Sequence, residues 1–165
     1  MKKTLFIFSV LLILNNCGGF EYVYQTNKND FLINNAVNIN VDGNDESQIY
    51  VLLRDAIGNN DEHPKYQLSA QSSKTESPGT IKKDATASKF NIQYSINYEL
   101  YNLYKKCIVF NKEITTISHY NTRSEGYSFG TDLSQKESSV NNINKNINEF
   151  IFYINSLSSL DTCSK

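Results

Sequence analysis

Apolar and polar side chains alternate along four stretches of the chain, and strict alternation is typical of half-buried β-strands. The first stretch runs from Ala36 to Val41, and the second begins at Lys65 and continues to Ala70. The longest runs from Phe90 to Leu100, where six apolar side chains fall on one face. A fourth strand is predicted from Cys107 to Tyr120 after a turn near Asn102–Lys106, so the last two strands should form a long antiparallel hairpin.

A segment with helical periodicity lies between the first two strands. Five apolar side chains between Ile49 and Ile57 recur at the i, i+3, i+4, i+7, i+8 spacing, which places them on one face of a helix. Asp45 stands in the position of an N-cap, and Gln48 follows it at the distance of a capping box. Gly58 is a typical end signal. The pattern therefore predicts a short amphipathic helix that ends at Ile57.

A longer apolar stripe, from Val140 to Leu157, predicts a second helix after a loop at Asn121–Gly130. Its expected start is Asp132 or Ser134, with Glu137 in the capping-box position relative to Ser134. A helix of about 25 residues would be roughly 38 Å long. Its other face is rich in Asn, which is a poor helix former, so packing of the stripe against the sheet must stabilise it.

The segment between the second and third strands is polar. Ser72 to Ser88 contains Ser77-Pro78-Gly79, a turn signal, and we expect a loop there. The order of elements is then β-α-β-β-β-α. It predicts an α+β fold, with a small mixed or antiparallel sheet of about four strands and two helices packed on one face. A single domain should span residues 36–162.

The N-terminus carries an export signal. A basic start precedes an apolar run from Thr4 to Leu14, which is shorter than the roughly 20 residues that span a bilayer. Cys17 then follows at a junction typical of lipoproteins. We therefore expect residues 1–16 to be a signal peptide, Cys17 to carry a lipid anchor and residues 17–35 to form a tether. Asn16 departs from the small residue usual before such a cysteine, so a plain signal peptide is the alternative.

The net charge limits which partners are expected, and the cysteines allow one disulfide. Without residues 1–16, which include two lysines, 149 residues remain with 14 basic and 17 acidic side chains, a net charge of −3. Since no basic stripe is present to displace counterions, nucleic acid is not an expected partner. If Cys17 carries lipid, Cys107 and Cys163 remain. They either pair in an oxidising compartment or stay as two free thiols.

No catalytic constellation emerges from the sequence. His63 and His119 are isolated and lack the spacing of a metal site, so each is interpreted as a surface or strand-end histidine. A G-x-S-x-G elbow and a phosphate-binding glycine series are both absent, and Cys107 lacks a neighbouring histidine to activate it. The sequence therefore predicts neither an enzyme nor a cofactor or metal site.

Two surface features are candidates for binding. The first is a basic group of Lys74, Lys82, Lys83 and Lys89, opposed by nearby acids. If the second and third strands are antiparallel neighbours, these lysines gather at one end of the sheet, where they would meet lipid phosphates. An ordinary solvated loop is the alternative. The second feature is the polar face of the long hairpin, which either faces solvent or docks in a wet space such as the inside of an outer-membrane barrel.

These elements resemble the LptE family of lipopolysaccharide-assembly lipoproteins, also called RlpB, in its alphaproteobacterial form. The family opens with a lipidated cysteine and a Gly-Phe-x-Pro-Leu-Tyr-like string, and Cys17–Tyr24 is similar, with an extra glycine and no proline. The family's first strand and helix resemble Val37–Val41 and Glu46–Ile57. Its Tyr-x-Leu second strand resembles Tyr66–Leu68, and the stretch that leads into its last helix resembles Tyr120–Glu137. The resemblance covers most of the chain after Cys17.

The resemblance implies a lipoprotein anchored in the inner leaflet of the outer membrane. It would sit inside the lumen of the LptD β-barrel, help that barrel assemble, and help deliver lipopolysaccharide to the outer leaflet. Lys82 and Lys83 lie before the long strand, about where the family is thought to bind lipopolysaccharide, and are its implied binding residues here. Three rivals stay open: a periplasmic accessory lipoprotein of a lipid-exporting ABC transporter, a lipid-acting hydrolase and a host-facing surface lipoprotein.

Overall fold

In the part of the chain that the structure describes, four strands and two helices follow one another in the predicted order, β-α-β-β-β-α. The structure, a computed structural model, describes residues 33, 36–60, 62–81, 87–122, 128–157, 159–160 and 162–163. The predicted signal peptide, Cys17 and most of the tether lie outside these residues. The elements are β1 (Val37–Gly43), α1 (Glu46–Ile57), β2 (Tyr66–Ile81), β3 (Ala87–Asn102), β4 (Cys107–Asn121) and α2 (Ser128–Ser156).

The strands form one mixed sheet in the order β1-β2-β3-β4. β1 runs parallel to β2, from Val37 beside Tyr66 to Gly43 beside Ser72. A parallel pair needs a crossover connection, and α1 supplies it. β2, β3 and β4 are antiparallel neighbours, and the turn Leu103–Lys106 joins β3 to β4. The predicted α+β class, the antiparallel pairing of the second and third strands, and the hairpin are all confirmed.

Both helices cover the same face of the sheet. From Ile92 to Leu100, every second residue of β3 lies on this face and is fully buried: Ile92, Tyr94, Ile96, Tyr98 and Leu100. The two helices supply the opposing layer from their predicted apolar stripes: Ile49, Leu53, Ile57, Ile143, Ile147, Phe150 and Ile154. The Tyr98 ring stacks on Phe150 with its centroid 4.3 Å away, in the offset geometry that aromatic pairs prefer.

The segment predicted as a polar loop is instead the second half of β2, which continues to Ile81. β3 lies between two neighbours, and the N–H and C=O groups along both its edges need partners, so β2 extends beside it despite its polar composition. β1 ends opposite Ser72, which leaves the rest of β2 as an edge strand. An edge tolerates Pro78, and the register shifts between Pro78 and Thr80. The predicted turn at Ser77–Gly79 is therefore wrong.

α2 starts earlier than its apolar stripe suggests. It begins at Ser128, four residues before the first expected start, and has 29 residues. Ser134 and Glu137 lie inside the helix, so the capping box predicted for them is wrong. The end at Ser156 falls one residue before the last member of the stripe, as expected for helix boundaries.

Two asparagines of α2 lie in the core rather than on its outer face. Asn142 and Asn146 are at most 1% exposed. Nδ2 of Asn146 donates to the backbone oxygen of Ile114 at 2.8 Å and to Oγ1 of Thr116 at 3.1 Å, while its Oδ1 accepts the hydroxyl of Tyr98 at 2.9 Å. Asn142 likewise donates to backbone carbonyls of the sheet. The helix is therefore held on the sheet by hydrogen bonds as well as by its apolar stripe.

The turn between β1 and α1 depends on glycine. Gly43 has a φ of 105° and lies against β2, where a Cβ atom would overlap the backbone oxygen of Ser72. Asp45 has a φ of 54°, a left-handed conformation that is uncommon outside glycine. Its carboxylate makes no capping bond to α1 and instead accepts a hydrogen bond from the hydroxyl of Tyr94. The capping box predicted for Asp45 and Gln48 is therefore wrong.

A disulfide joins Cys107, at the start of β4, to Cys163 beyond the end of α2. Their Cα atoms are 5.8 Å apart, and 56 residues separate them in sequence. Of the two alternatives for these cysteines, the structure has the bonded pair. The bond ties the C-terminal segment to the end of the sheet where β3 turns into β4.

Candidate functional surfaces

The face of the sheet that points away from the helices is polar across all four strands. Its side chains are almost all amides, hydroxyls and carboxylates, and the strand register brings them side by side: Asn38, Asn40, Asp42, Gln67, Ser69, Gln71, Ser73, Thr75, Asn91, Gln93, Ser95, Asn97, Glu99, Asn111, Glu113 and Thr115. We call this surface the open face. The polar face predicted for the hairpin is thus confirmed, and it is wider than predicted because β1 and the long β2 extend it.

The open face is ordered and acidic. The hydroxyl oxygens of Ser95 and Thr115 lie 2.8 Å apart, in hydrogen-bond contact across two strands. A shallow depression of about 270 Å³ lies between β1, β2 and β3. From Asn91 to Tyr101 of β3 and across the paired residues that the structure describes, the charged side chains of this face are carboxylates: Asp42, Glu99 and Glu113. Such a surface suits a hydrated, polar partner and repels phosphate groups.

The predicted basic group does not gather as a whole at one end of the sheet. Lys82 and Lys83 lie outside the described residues. Lys74 pairs with Tyr94 on the helix-covered side. Lys89 lies five positions before Tyr94 on β3, about 16 Å along the strand. Because side chains of a strand alternate between its two faces, Lys89 lies on the open face. The strand pairing is as predicted, but the two-residue alternation directs Lys74 and Lys89 to opposite faces of the sheet.

Lys74 is already neutralised by nearby acids. Its Nζ lies 3.3 Å from Glu76 and 3.7 Å from Asp45. Glu76 also accepts a hydrogen bond of 2.8 Å from the side-chain amide of Gln135 on α2, and one of 3.3 Å from the hydroxyl of Tyr120. These contacts bind the start of α1, β2, β4 and the first half of α2 together. Lys74 therefore has a structural role between acids rather than the phosphate-binding role considered from the sequence.

Three tyrosine hydroxyls beneath the helices have a raised pKa, and burial is the largest cause for each: Tyr94, Tyr98 and Tyr120. The hydrogen bond to Asp45 raises the pKa of Tyr94 further, and the charge of Glu76 does the same for Tyr120. All three therefore stay protonated near neutral pH. Each is a fixed hydrogen-bond donor. Tyr98 links β3 to α2, Tyr94 links β3 to the turn before α1, and Tyr120 links β4 to Glu76 on β2.

The histidines and the possible metal-ligand side chains have defined positions in the described structure. His63 and His119 are both exposed, as predicted. Within the described residues, no three His, Cys, Asp or Glu side chains converge in a way that would hold a metal ion. None of the described helices combines the length and the apolar character needed to cross a membrane.

The turn between β3 and β4 carries an exposed group that the sequence pattern identified only as a turn. Tyr104 and Leu103 are 73% and 37% exposed. Lys105 and Lys106 follow directly and are also exposed. We call Leu103–Lys106 the turn cluster. The sequence signal for this cluster is two apolar residues followed by two basic residues within the turn, because a turn requires neither type of side chain.

The architecture has solved counterparts. Rare lipoprotein B from Shewanella oneidensis superposes with a TM-score of 0.59 over 73% of this chain and 93% of its own, at 8% identity. The chain has the fold of rare lipoprotein B. A protein of Caulobacter crescentus CB15 named a "putative lipoprotein" gives a TM-score of 0.57 over 73% and 88% of the two chains, at 13% identity.

The same fold occurs in the minor lipoprotein of Acinetobacter baumannii, with a TM-score of 0.54 over 74% of this chain and 92% of its own, at 7% identity. No protein-family model matches the sequence, and no curated protein matches it significantly. At identities of 7–13%, the likeness to these three structures is a likeness of fold alone.

Proposed function

We propose that this chain is an LptE-type outer-membrane lipoprotein that works with a large β-barrel. Residues 1–16 are removed on export, Cys17 carries the lipid anchor, and the domain sits in the lumen of an LptD-like barrel. There it assists assembly of the barrel and delivery of lipopolysaccharide to the outer leaflet. The observation that carries the proposal is the rare lipoprotein B fold, in a chain whose N-terminus has the features of a lipoprotein signal.

The open face is the surface proposed to meet the barrel. The lumen of an outer-membrane barrel is polar and hydrated, because the apolar side chains of its strands face the lipid. Amides and hydroxyls in register on four strands offer many donors and acceptors to the inward-facing side chains of such a wall. The helices remain on the opposite side of the sheet.

The lipopolysaccharide contact is proposed for Lys82 and Lys83. Lys74 does not add to it, because its ammonium group lies between Glu76 and Asp45. The test is a double Lys→Glu substitution at positions 82 and 83, compared with the same double substitution at Lys136 and Lys145, two exposed lysines of α2. Lipopolysaccharide binding should fall in the first variant only. Equal binding by both variants would contradict the assignment.

The barrel contact is tested by a matched pair of substitutions. Asn97→Arg places a long cation in the middle of the open face, beside Glu113 in the register, so the fold should accept it. Asn141→Arg makes the same change on the exposed side of α2. Each variant is tagged, isolated from solubilised outer membranes, and probed for bound proteins.

A large β-barrel should co-purify in a one-to-one complex with the unsubstituted chain and with Asn141→Arg, and much less with Asn97→Arg. Capture of an inner-membrane ATPase complex in its place would favour the transporter-accessory alternative. We propose no catalytic activity for the chain. A lipid hydrolase activity lost on replacement of a single serine or cysteine would overturn that view.

A further inference from the structure

The turn cluster projects apolar and basic side chains from the end of the sheet. Tyr104 is the most exposed large hydrophobic residue that the structure describes, and Leu103 lies beside it. The exposed Lys105 and Lys106 complete the turn, and Lys65 is exposed on the neighbouring loop. An aromatic and an aliphatic side chain flanked by lysines have the composition of a surface that meets a membrane interface.

The turn cluster is held in a defined conformation. The buried Oδ1 of Asn102 accepts hydrogen bonds from the backbone N–H groups of Tyr104, at 3.0 Å, and Lys105, at 2.9 Å. The N–H of Lys106 donates to the backbone oxygen of Asn102 at 2.8 Å. The disulfide at Cys107 fixes the next residue. Because the turn is ordered before any contact, binding through it does not have to order a loop.

The chain from Cys17 reaches the sheet at this same end. The strand register places Val37, Tyr66, Asn102 and Cys107 in one row across the sheet. The backbone oxygen of Ala36 accepts N–H groups from the start of β2, and the backbone oxygen of Lys65 accepts the N–H of Leu103 at 3.0 Å. The start of β1, where the tether joins the domain, is thus linked to the turn cluster by backbone hydrogen bonds through one intervening segment, the start of β2. An anchor at Cys17 would direct this end toward the membrane that holds it.

The charges at this end favour an anionic surface although the chain as a whole is acidic. Lys65, Lys105 and Lys106 are all exposed at this end, and the described part of the loop before β2 carries one acid, Glu62. The ion pair of the last α1 turn, between Arg54 and Asp55 at 3.3 Å, adds no net charge. Lysines within a Debye length of an anionic bilayer each strengthen binding, by about fivefold per residue.

We propose that the turn cluster and Lys65 form a membrane-contact surface. Leu103 and Tyr104 lie in the interfacial layer of the bilayer that holds the lipid anchor, and the three lysines contact the phosphates of anionic lipids. The contact orients the domain with its tether end on the membrane and the far end of the β2–β3 hairpin away from it. The inference rests on the anchor of the proposed function, and it is independent of the barrel partner.

The chain has no tryptophan, so one introduced indole reports on its own surroundings. Tyr104→Trp places it in the turn cluster. Ile117→Trp is the matched control, because Ile117 is 58% exposed on the open face and lies about 30 Å away along β4. Both variants are purified with the lipid anchor and incorporated into vesicles of phosphatidylethanolamine and phosphatidylglycerol, or of phosphatidylcholine alone. Emission and quenching by lipids with brominated acyl chains are measured.

In the anionic vesicles, the emission of Tyr104→Trp should shift to the blue and be quenched by the brominated lipids. The emission of Ile117→Trp should stay the same as in water without vesicles. Lys105→Glu with Lys106→Glu should reduce the quenching at least twofold, whereas Lys136→Glu with Lys145→Glu should leave it unchanged. Leu103→Trp repeats the measurement if Tyr104→Trp does not fold. Emission equal to that of the control in anionic vesicles would overturn the proposal, and equal quenching in phosphatidylcholine would overturn the lysine–phosphate contact. Co-purification with a barrel would be unaffected by either failure.

Discussion

The buried asparagine network gives the sharpest test of how the domain is held together. Asn146 is fully buried and joins Tyr98 on β3 to Ile114 and Thr116 on β4. Asn146→Leu keeps the size of the side chain but removes every hydrogen bond. The Tyr98 hydroxyl is then a buried donor with no remaining partner. Since an unsatisfied buried group costs about 1–3 kcal/mol, and neighbouring acceptors lose a donor as well, the free energy of unfolding should fall by about 2–4 kcal/mol.

Urea denaturation followed by circular dichroism measures this loss with the disulfide intact. Asn141→Leu is the matched control, because Asn141 is exposed on the same helix, and it should be neutral or slightly stabilising through its higher helix propensity. Tyr98→Phe should cost less in the Asn146→Leu background than in the natural chain, since it removes the orphaned hydroxyl. A coupling of about 1–3 kcal/mol is expected. An Asn146→Leu variant as stable as Asn141→Leu, or additive costs for the two changes, would refute the reasoning.

Three further results are expected. Gly43→Ala should lower the free energy of unfolding by about 2–4 kcal/mol, because the new Cβ meets the Ser72 carbonyl at a positive φ; a loss below about 1 kcal/mol would contradict the contact. Replacing Cys107 and Cys163 by Ser should lower the free energy of unfolding by about 4 kcal/mol, the loop-closure value for a 56-residue separation. Equal urea midpoints for the substituted and the natural chain would contradict a stabilising role for the disulfide. The hydroxyls of Tyr94, Tyr98 and Tyr120 have a raised pKa in the folded chain. The free energy of unfolding should therefore fall as pH rises above about 10, where tyrosines of the unfolded chain ionise while these three stay protonated. Absorbance at 295 nm should show tyrosines that ionise at higher pH than in urea, and a single titration at the ordinary tyrosine pKa would contradict the prediction.

The sequence predicts most of the fold because the apolar positions are regular where the chain is half-buried. The alternation of Phe90–Leu100 and the stripe of α2 identify two of the elements that form the core. The second half of β2 is missed because its side chains are polar on both faces. Its strand conformation comes from backbone pairing with β3, which no periodicity in its own side chains records.

Other positions are missed because their partners are distant in sequence. Asn142 and Asn146 resemble solvent-facing asparagines until the sheet carbonyls they bind are known. Asp45 occupies the predicted N-cap position of α1, yet its carboxylate makes no capping bond and accepts the hydroxyl of Tyr94, 49 residues away. The same holds for the candidate surfaces. The polar hairpin face is predictable from alternation, whereas the proximity of the turn cluster to the tether end depends on the register of all four strands.

Photocrosslinking in living cells tests the central proposal most directly. A photoreactive residue replaces Asn97 on the open face or, as the control, Asn141 on the outer side of α2. Irradiation should link the open-face variant to a large outer-membrane β-barrel and leave the control unlinked. An open face that links to an inner-membrane ATPase complex, or gives no crosslink while the protein is lipidated and in the outer membrane, would contradict the proposed role.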